Sequence, residues 1–133
     1  MNKKEQYRID NERFIEDLRN GSDVNELKGG VLYRVVASGD GASPRDARSV
    51  VTCHYKGSLI SGKVFDNSYE RKCPEAFRLC DLIPGFQSAL MNMRVGDHWI
   101  VYIPSQLGYG SHGDADIPAN STLVFEIELL SVM

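Results

Sequence analysis

The chain has 133 residues, of which 42% are hydrophobic and 25% charged, with a net charge of −3 and a pI near 5.6. That balance describes one ordinary globular domain and excludes both the basic stripe of a nucleic-acid binder and the roughly 18-residue apolar run of a membrane span. The charged start, MNKKEQYRIDNERF, lacks the apolar stretch of a signal peptide. The odd number of cysteines (Cys53, Cys73, Cys80) leaves a free thiol in a monomer. Both point to the cytoplasm, with the periplasm or export as the alternative if a leader was removed before this numbering.

The first predicted element is a helix. Tyr7, Phe14, Ile15 and Leu18 share one face among charged neighbours, and Asn20-Gly21 is expected to end it in a left-handed cap. Leu27 to Gly30 reads as a turn or linker. From Val31 the period falls to two, giving a strand over Val31 to Val36, and Ser38 to Asp46 reads as a loop. Ser49 to Leu59 is a long strand, closed by the turn Ser61-Gly62. Short strands follow at Val64 to Asn67 and Ala76 to Leu79, with a polar loop between them. Pro84 to Met91 is a short helix, apolar at Phe86, Ala89 and Leu90, and Arg94 to Asp97 is a turn. The last strands, His98 to Ile103 and Thr122 to Val132, flank a long loop from Pro104 to Ser121. Strands gathered on one central helix define an α+β domain with a twisted antiparallel sheet and an extra N-terminal helix. We divide the chain into residues 1–29, helix and linker, and residues 30–133, the main domain.

Conventional catalytic patterns find no support. There is no G-x-S-x-G, H-E-x-x-H, C-x-x-C or P-loop. His54, His98 and His112 are far apart and lack ligand spacing, and the cysteines lack zinc spacing. No metal and no cofactor is expected. His54, in mid-strand, reads as a hydrogen-bonded core histidine.

Five segments in order carry the functional signal: VTCHYKGSL (51–59), VFDNSYERK (64–72), DLIPGFQSAL (81–90), SQLGYGSHG (105–113) and TLVFEIELL (122–130). In this order they resemble the FKBP-type peptidyl-prolyl cis-trans isomerases, the macrolide-binding immunophilins, over roughly Gly30 to Val132. The N-terminal segment resembles the lead-in of bacterial members. The resemblance implies an isomerase that assists protein folding, with X-Pro peptides and unfolded chains as partners and macrolides as inhibitors. It implies neither nucleic acid nor a membrane span, and the narrow apolar face of the first helix suggests a monomer.

Such a reaction suits the residue types present. The obstacle is the partial double bond of the amide, about 18–20 kcal/mol, and its transition state is a twisted amide of reduced polarity. A dry aromatic pocket favours that state over the planar one. By resemblance, Tyr55 and Phe65 are wall aromatics and Phe86 is the pocket floor, where the best-known members carry Trp. Asp66 is the carboxylate facing the substrate carbonyl, with Arg71 as its ion-pair partner. Leu82 and Ile83 offer their backbone to the ligand, and the Tyr109 hydroxyl donates to a ligand carbonyl. Ile117 and Phe125 close the far side. Taken singly, these aromatics read as core residues, and only the ordered motifs move them into a pocket.

The chain departs from the family pattern at Phe86, at Glu75, where an aromatic often completes the wall, and at Asp116, where an apolar residue is usual. These changes bear on macrolide affinity more than on proline binding. The rival reading is a catalytically weak proline-peptide or macrolide-responsive adaptor module.

Overall fold

Strict alternation along one long strand organises the molecule. The computed structural model describes residues 1–133. Its elements run α1 (Lys3–Asn20), β1 (Asn25–Glu26), β2 (Leu32–Ala37), β3 (Val50–Leu59), β4 (Val64–Asn67), α2 (Ser68–Arg71), β5 (Glu75–Arg78), α3 (Pro84–Asn92), β6 (His98–Ile103) and β7 (Leu123–Val132). In β3 every odd-numbered residue from Val51 to Leu59 is buried and every even one is half-exposed, as a strand covered on one face requires.

The sheet is antiparallel throughout, in the order β1-β2-β6-β7-β3-β4, with β5 also on β3. One edge of β3 pairs with β7 along its whole length. The other edge is shared: β5 takes Val50 to Cys53 and β4 takes Lys56 to Ser58. Tyr55 lies in the gap, and the buried Ser68 hydroxyl substitutes for the missing strand. It accepts from the Tyr55 N–H at 2.7 Å and donates to the Tyr55 carbonyl at 3.2 Å.

The two faces of the sheet are covered by different helices. On the inner face α3 brings Phe86, Ala89 and Leu90 against Val101, Ile103, Leu123, Phe125 and Ile127. Pro84 opens α3 at a position where its missing N–H has no helical partner to lose. On the outer face α1 sets Ile15 against Leu32 and Tyr102, flanked by Phe14 and Leu18.

Four sequence expectations change. The polar loop after β4 contains the helical turn α2, because the Asn67 side chain accepts from the N–H groups of Tyr69 and Glu70. Gly21 is extended, at φ −82° and ψ 172°, so α1 ends without a left-handed cap. Residues 25–26 are not linker but a short strand on β2. His54, expected in the core, stands on the half-exposed outer face, stacked on Tyr69 at 4.6 Å with Nδ1 2.8 Å from the Ser68 hydroxyl.

Candidate functional site

The inward positions of β3 and β7 do not fill the whole concave face. Between them, β4, β5 and the start of α3 lies a cavity of about 260 Å³, lined by Tyr55, Phe65, Asp66, Phe77, Asp81, Leu82, Ile83, Phe86, Tyr109 and Phe125. Its floor is Phe86, which meets Phe125 edge-on at 4.9 Å and Tyr55 at 5.8 Å between ring centroids. Phe65 stands perpendicular to Phe125 at 5.7 Å. These edge-to-face contacts fix the ring orientations, so the walls are preformed.

The two wall rings Phe65 and Phe125 lie against Gly57, which has no side chain. A Cβ there would lie 2.6 Å from Phe125 and 2.7 Å from Phe65. Any other residue at this inward position of β3 would displace the two rings that form the wall.

One mouth of the cavity carries the polar cluster. The Tyr55 hydroxyl donates to Asp66 Oδ2 at 2.5 Å, and Arg71 Nη1 donates to Oδ1 at 2.5 Å. Arg71 also reaches Glu75 at 3.3 Å, and its guanidinium lies 5.9 Å from the centroid of the Tyr55 ring. Burial, and then the bond to Asp66, hold the Tyr55 hydroxyl well above its ordinary range. Partial burial pushes the Asp66 carboxyl up, but the bonds from Tyr55 and Arg71 and the Arg71 charge outweigh it, and the net direction is down. Asp66 is therefore ionised and Tyr55 neutral at physiological pH. The bonds to Asp66 and Tyr55 push the Arg71 guanidinium up, so it stays charged.

Two segments complete the rim. The turn Leu79–Asp81 delivers Leu82 and Ile83. The Leu82 carbonyl accepts from the Gln87 side chain at 2.7 Å, and the Ile83 carbonyl accepts from the N–H groups of Phe86 and Gln87. Across the cavity, the loop between β6 and β7 delivers Tyr109. Burial, then the charges of Asp114 and Asp66, raise its hydroxyl above the usual range.

The residues singled out in the sequence therefore gather in one place, with two qualifications. Ile117 lines an adjoining depression of about 170 Å³, which it shares with Phe65, Asp66, Tyr109 and Asp116, rather than the cavity itself. Arg71 stands outside the cavity and acts on it through Asp66. Phe77, Asp81 and Gly57 were not singled out. Phe77 lies two residues beyond Glu75 in β5 and supplies an aromatic wall 5.7 Å from Tyr55, while the Glu75 carboxylate turns to Arg71. Period-two reading of β5 links positions 75 and 77 and would have found it. His112 is exposed and lines neither hollow.

The comparisons agree with this geometry. The sequence model of the FKBP-type peptidyl-prolyl cis-trans isomerases matches residues 41–130. The chain is 50% identical over 103 residues to the FKBP-type peptidyl-prolyl cis-trans isomerase FkpA of Escherichia coli K12, a match that covers 77% of this chain and 38% of that protein. It thus spans well under half the length of that relative. The crystal structure of E. coli FkpA superposes with a TM-score of 0.88 at 42% identity, covering 98% of this chain and 62% of that one. A peptidyl-prolyl cis-trans isomerase from Pseudomonas syringae pv. tomato superposes with a TM-score of 0.89 at 38% identity, covering 99% and 97%. With the ordered motifs, the preformed aromatic cavity and these matches in agreement, the chain belongs to the FKBP-type peptidyl-prolyl cis-trans isomerase family.

Proposed function

We propose that this chain accelerates cis–trans rotation about X-Pro bonds in peptides and folding proteins, and that residues 30–133 carry the activity. The observation that supports it best is the aromatic cavity of about 260 Å³ with an ionised carboxylate held at its mouth. The prolyl ring enters between Tyr55, Phe65, Phe86 and Phe125. As the amide twists it loses resonance and carbonyl polarity, so a water-poor aromatic wall favours the twisted form over the planar one. The Leu82–Ile83 backbone and the Tyr109 hydroxyl grip the flanking carbonyls. Asp66 faces the carbonyl of the residue before proline, and Arg71 keeps it ionised and in place. No bond to the protein forms and no proton moves.

A protease-free assay on a short X-Pro peptide tests this. Exchange well above the spontaneous rate, which takes tens to hundreds of seconds, is the expected result. Binding of the peptide without acceleration would establish the rival reading of a proline-peptide adaptor. Macrolides would use the same walls, and the charges of Glu75 and Asp116 at the rim, with Phe86 as floor, favour weak macrolide inhibition over tight inhibition. Titrating a macrolide into the same assay reads that directly.

We further propose that the chain is monomeric, because α1 spends its apolar face on Leu32 and Tyr102 of its own sheet. Light scattering at micromolar concentration that returned twice the mass would refute this. Three unpaired thiols, two of them exposed, support the reducing cytoplasm as the site of action. Recovery of the tagged protein in a periplasmic fraction would move it. No helix is long and apolar enough to cross a membrane.

A further inference from the structure

The outer helix α1 is tied to the site by polar bonds that its packing does not require. Asn11 lies in the middle of α1 with only 1% of its surface exposed. Asparagine is a poor choice for a helix interior, and an apolar residue there would extend the Ile15 cluster. The Asn11 amide is instead engaged at both its nitrogen and its oxygen. Nδ2 donates to the Tyr7 carbonyl one turn back at 2.7 Å, which fixes the side chain, and Oδ1 accepts from the Thr122 N–H at 2.7 Å. The Thr122 hydroxyl donates to the Asn11 carbonyl at 3.1 Å.

One turn earlier, the Tyr7 hydroxyl lies 2.7 Å from the Ser121 hydroxyl, and Ser121 Oγ lies 2.7 Å from the Pro118 carbonyl. A serine hydroxyl has one proton, and a carbonyl can only accept. Ser121 therefore donates to Pro118, and Tyr7 donates to Ser121. Both threads end on the loop that forms one wall of the site. Pro118 follows Ile117. Next to Ser121, the Asn120 N–H donates to the Gly110 carbonyl at 2.8 Å, beside Tyr109, and Asn120 itself is held at φ 64°.

We propose that Tyr7 and Asn11 are positioning residues for the isomerase site: from the far side of the sheet they set the loop that presents Tyr109 and Ile117. The inference rests on the isomerase reading above. It gives α1 a role in turnover beyond covering the outer face of the sheet.

The test compares Tyr7→Phe and Asn11→Ala with Leu18→Ala, which weakens α1 packing without touching the loop. Two readouts are taken well below the melting temperature: kcat/KM on an X-Pro peptide, and amide hydrogen exchange at Gly110, Gly113 and Asn120. Tyr7→Phe keeps the ring and removes one donor, so it retains the fold even if Asn11→Ala does not. The expected result is that Tyr7→Phe lowers kcat/KM by about twofold to tenfold, the range for one lost hydrogen bond, and speeds exchange at the three loop amides while β3 and β7 amides are unchanged. Leu18→Ala should lower the melting temperature and leave both readouts as in the parent. In a Tyr109→Phe background the effect of Tyr7→Phe on kcat/KM should shrink, because both act through one hydroxyl. Unchanged loop exchange and kcat/KM in Tyr7→Phe, or equal losses in Leu18→Ala, would overturn the proposal. An inactive parent chain would instead sink the isomerase reading, and the exchange data alone would then decide whether α1 holds the loop.

Discussion

The Tyr55 hydroxyl and the Asp66 carboxylate share a hydrogen bond of 2.5 Å, with Arg71 on the second carboxylate oxygen. The arrangement sets the expected pH behaviour. Asp66 is shifted down, while Tyr55 and Tyr109 are shifted up. Unperturbed Asp titrates near 3.9 and Tyr near 10, so all three shifts move titration further from neutrality. Activity should be flat between about pH 6 and 9, without the bell of general acid–base catalysis. The stability contributed by Asp66 is present above its unfolded pKa and is lost as pH falls through its lowered folded value, so it fades only in acid. Asp66→Ala should impair turnover while the melting curve at pH 7 remains cooperative. A rate profile with a sharp inflection between about pH 6 and 9 that His112→Ala abolishes would contradict this.

Gly57 is expected to be as sensitive as any aromatic of the wall. Its backbone is not in the left-handed region, so alanine is tolerated conformationally, but the added Cβ must displace Phe65 and Phe125. Overpacking of this kind destabilises by about 1–3 kcal/mol. Gly57→Ala should therefore melt earlier yet remain folded, and peptide turnover measured on the folded protein should fall about tenfold. Parent-like kcat/KM would mean that the cavity between these rings does not hold the prolyl group.

Wall and donor should differ in kind. Phe65 is only half-buried, and Phe65→Ala opens the cavity to water with little loss from the main core. Tyr109→Phe removes one positioning donor, worth about 0.5–1.5 kcal/mol, or about twofold to tenfold in rate. Steady-state kinetics should rank the losses Phe65→Ala above Tyr109→Phe, with the exposed His112→Ala near the parent.

The thiols provide a check on the packing itself. Cys73 and Cys80 are exposed, whereas Cys53 is fully buried on the inner face of β3. Burial, with the charge of Glu75 added, pushes the Cys53 thiol up to about 12, and a protonated thiol is a poor nucleophile. A chromogenic thiol reagent at pH 8 should titrate two groups quickly and the third only after denaturant is added.

The alternation that makes β3 one-sided, the apolar face of α3, and the order of motifs that names the family were all legible in the chain, because each is a local pattern written at period two, near 3.6, or as contiguous residues. The sequence also marked Tyr55, Phe65, Phe86 and Phe125, whose types suit a pocket wherever they converge. Tertiary structure alone decided that they do converge. It also decided that Phe77 rather than residue 75 completes the aromatic wall, and that the rings of Phe65 and Phe125 need a missing side chain at Gly57. Asn11 and Ser68 show the limit most clearly. Each is a polar residue that local propensity places in a cap or on the surface, and each is buried because its partners, Thr122 in one case and the unpaired edge at Tyr55 in the other, lie 111 and 13 residues away in the chain. Hydrogen-bond satisfaction across such distances is a property of the assembled sheet, and no local window of sequence contains it.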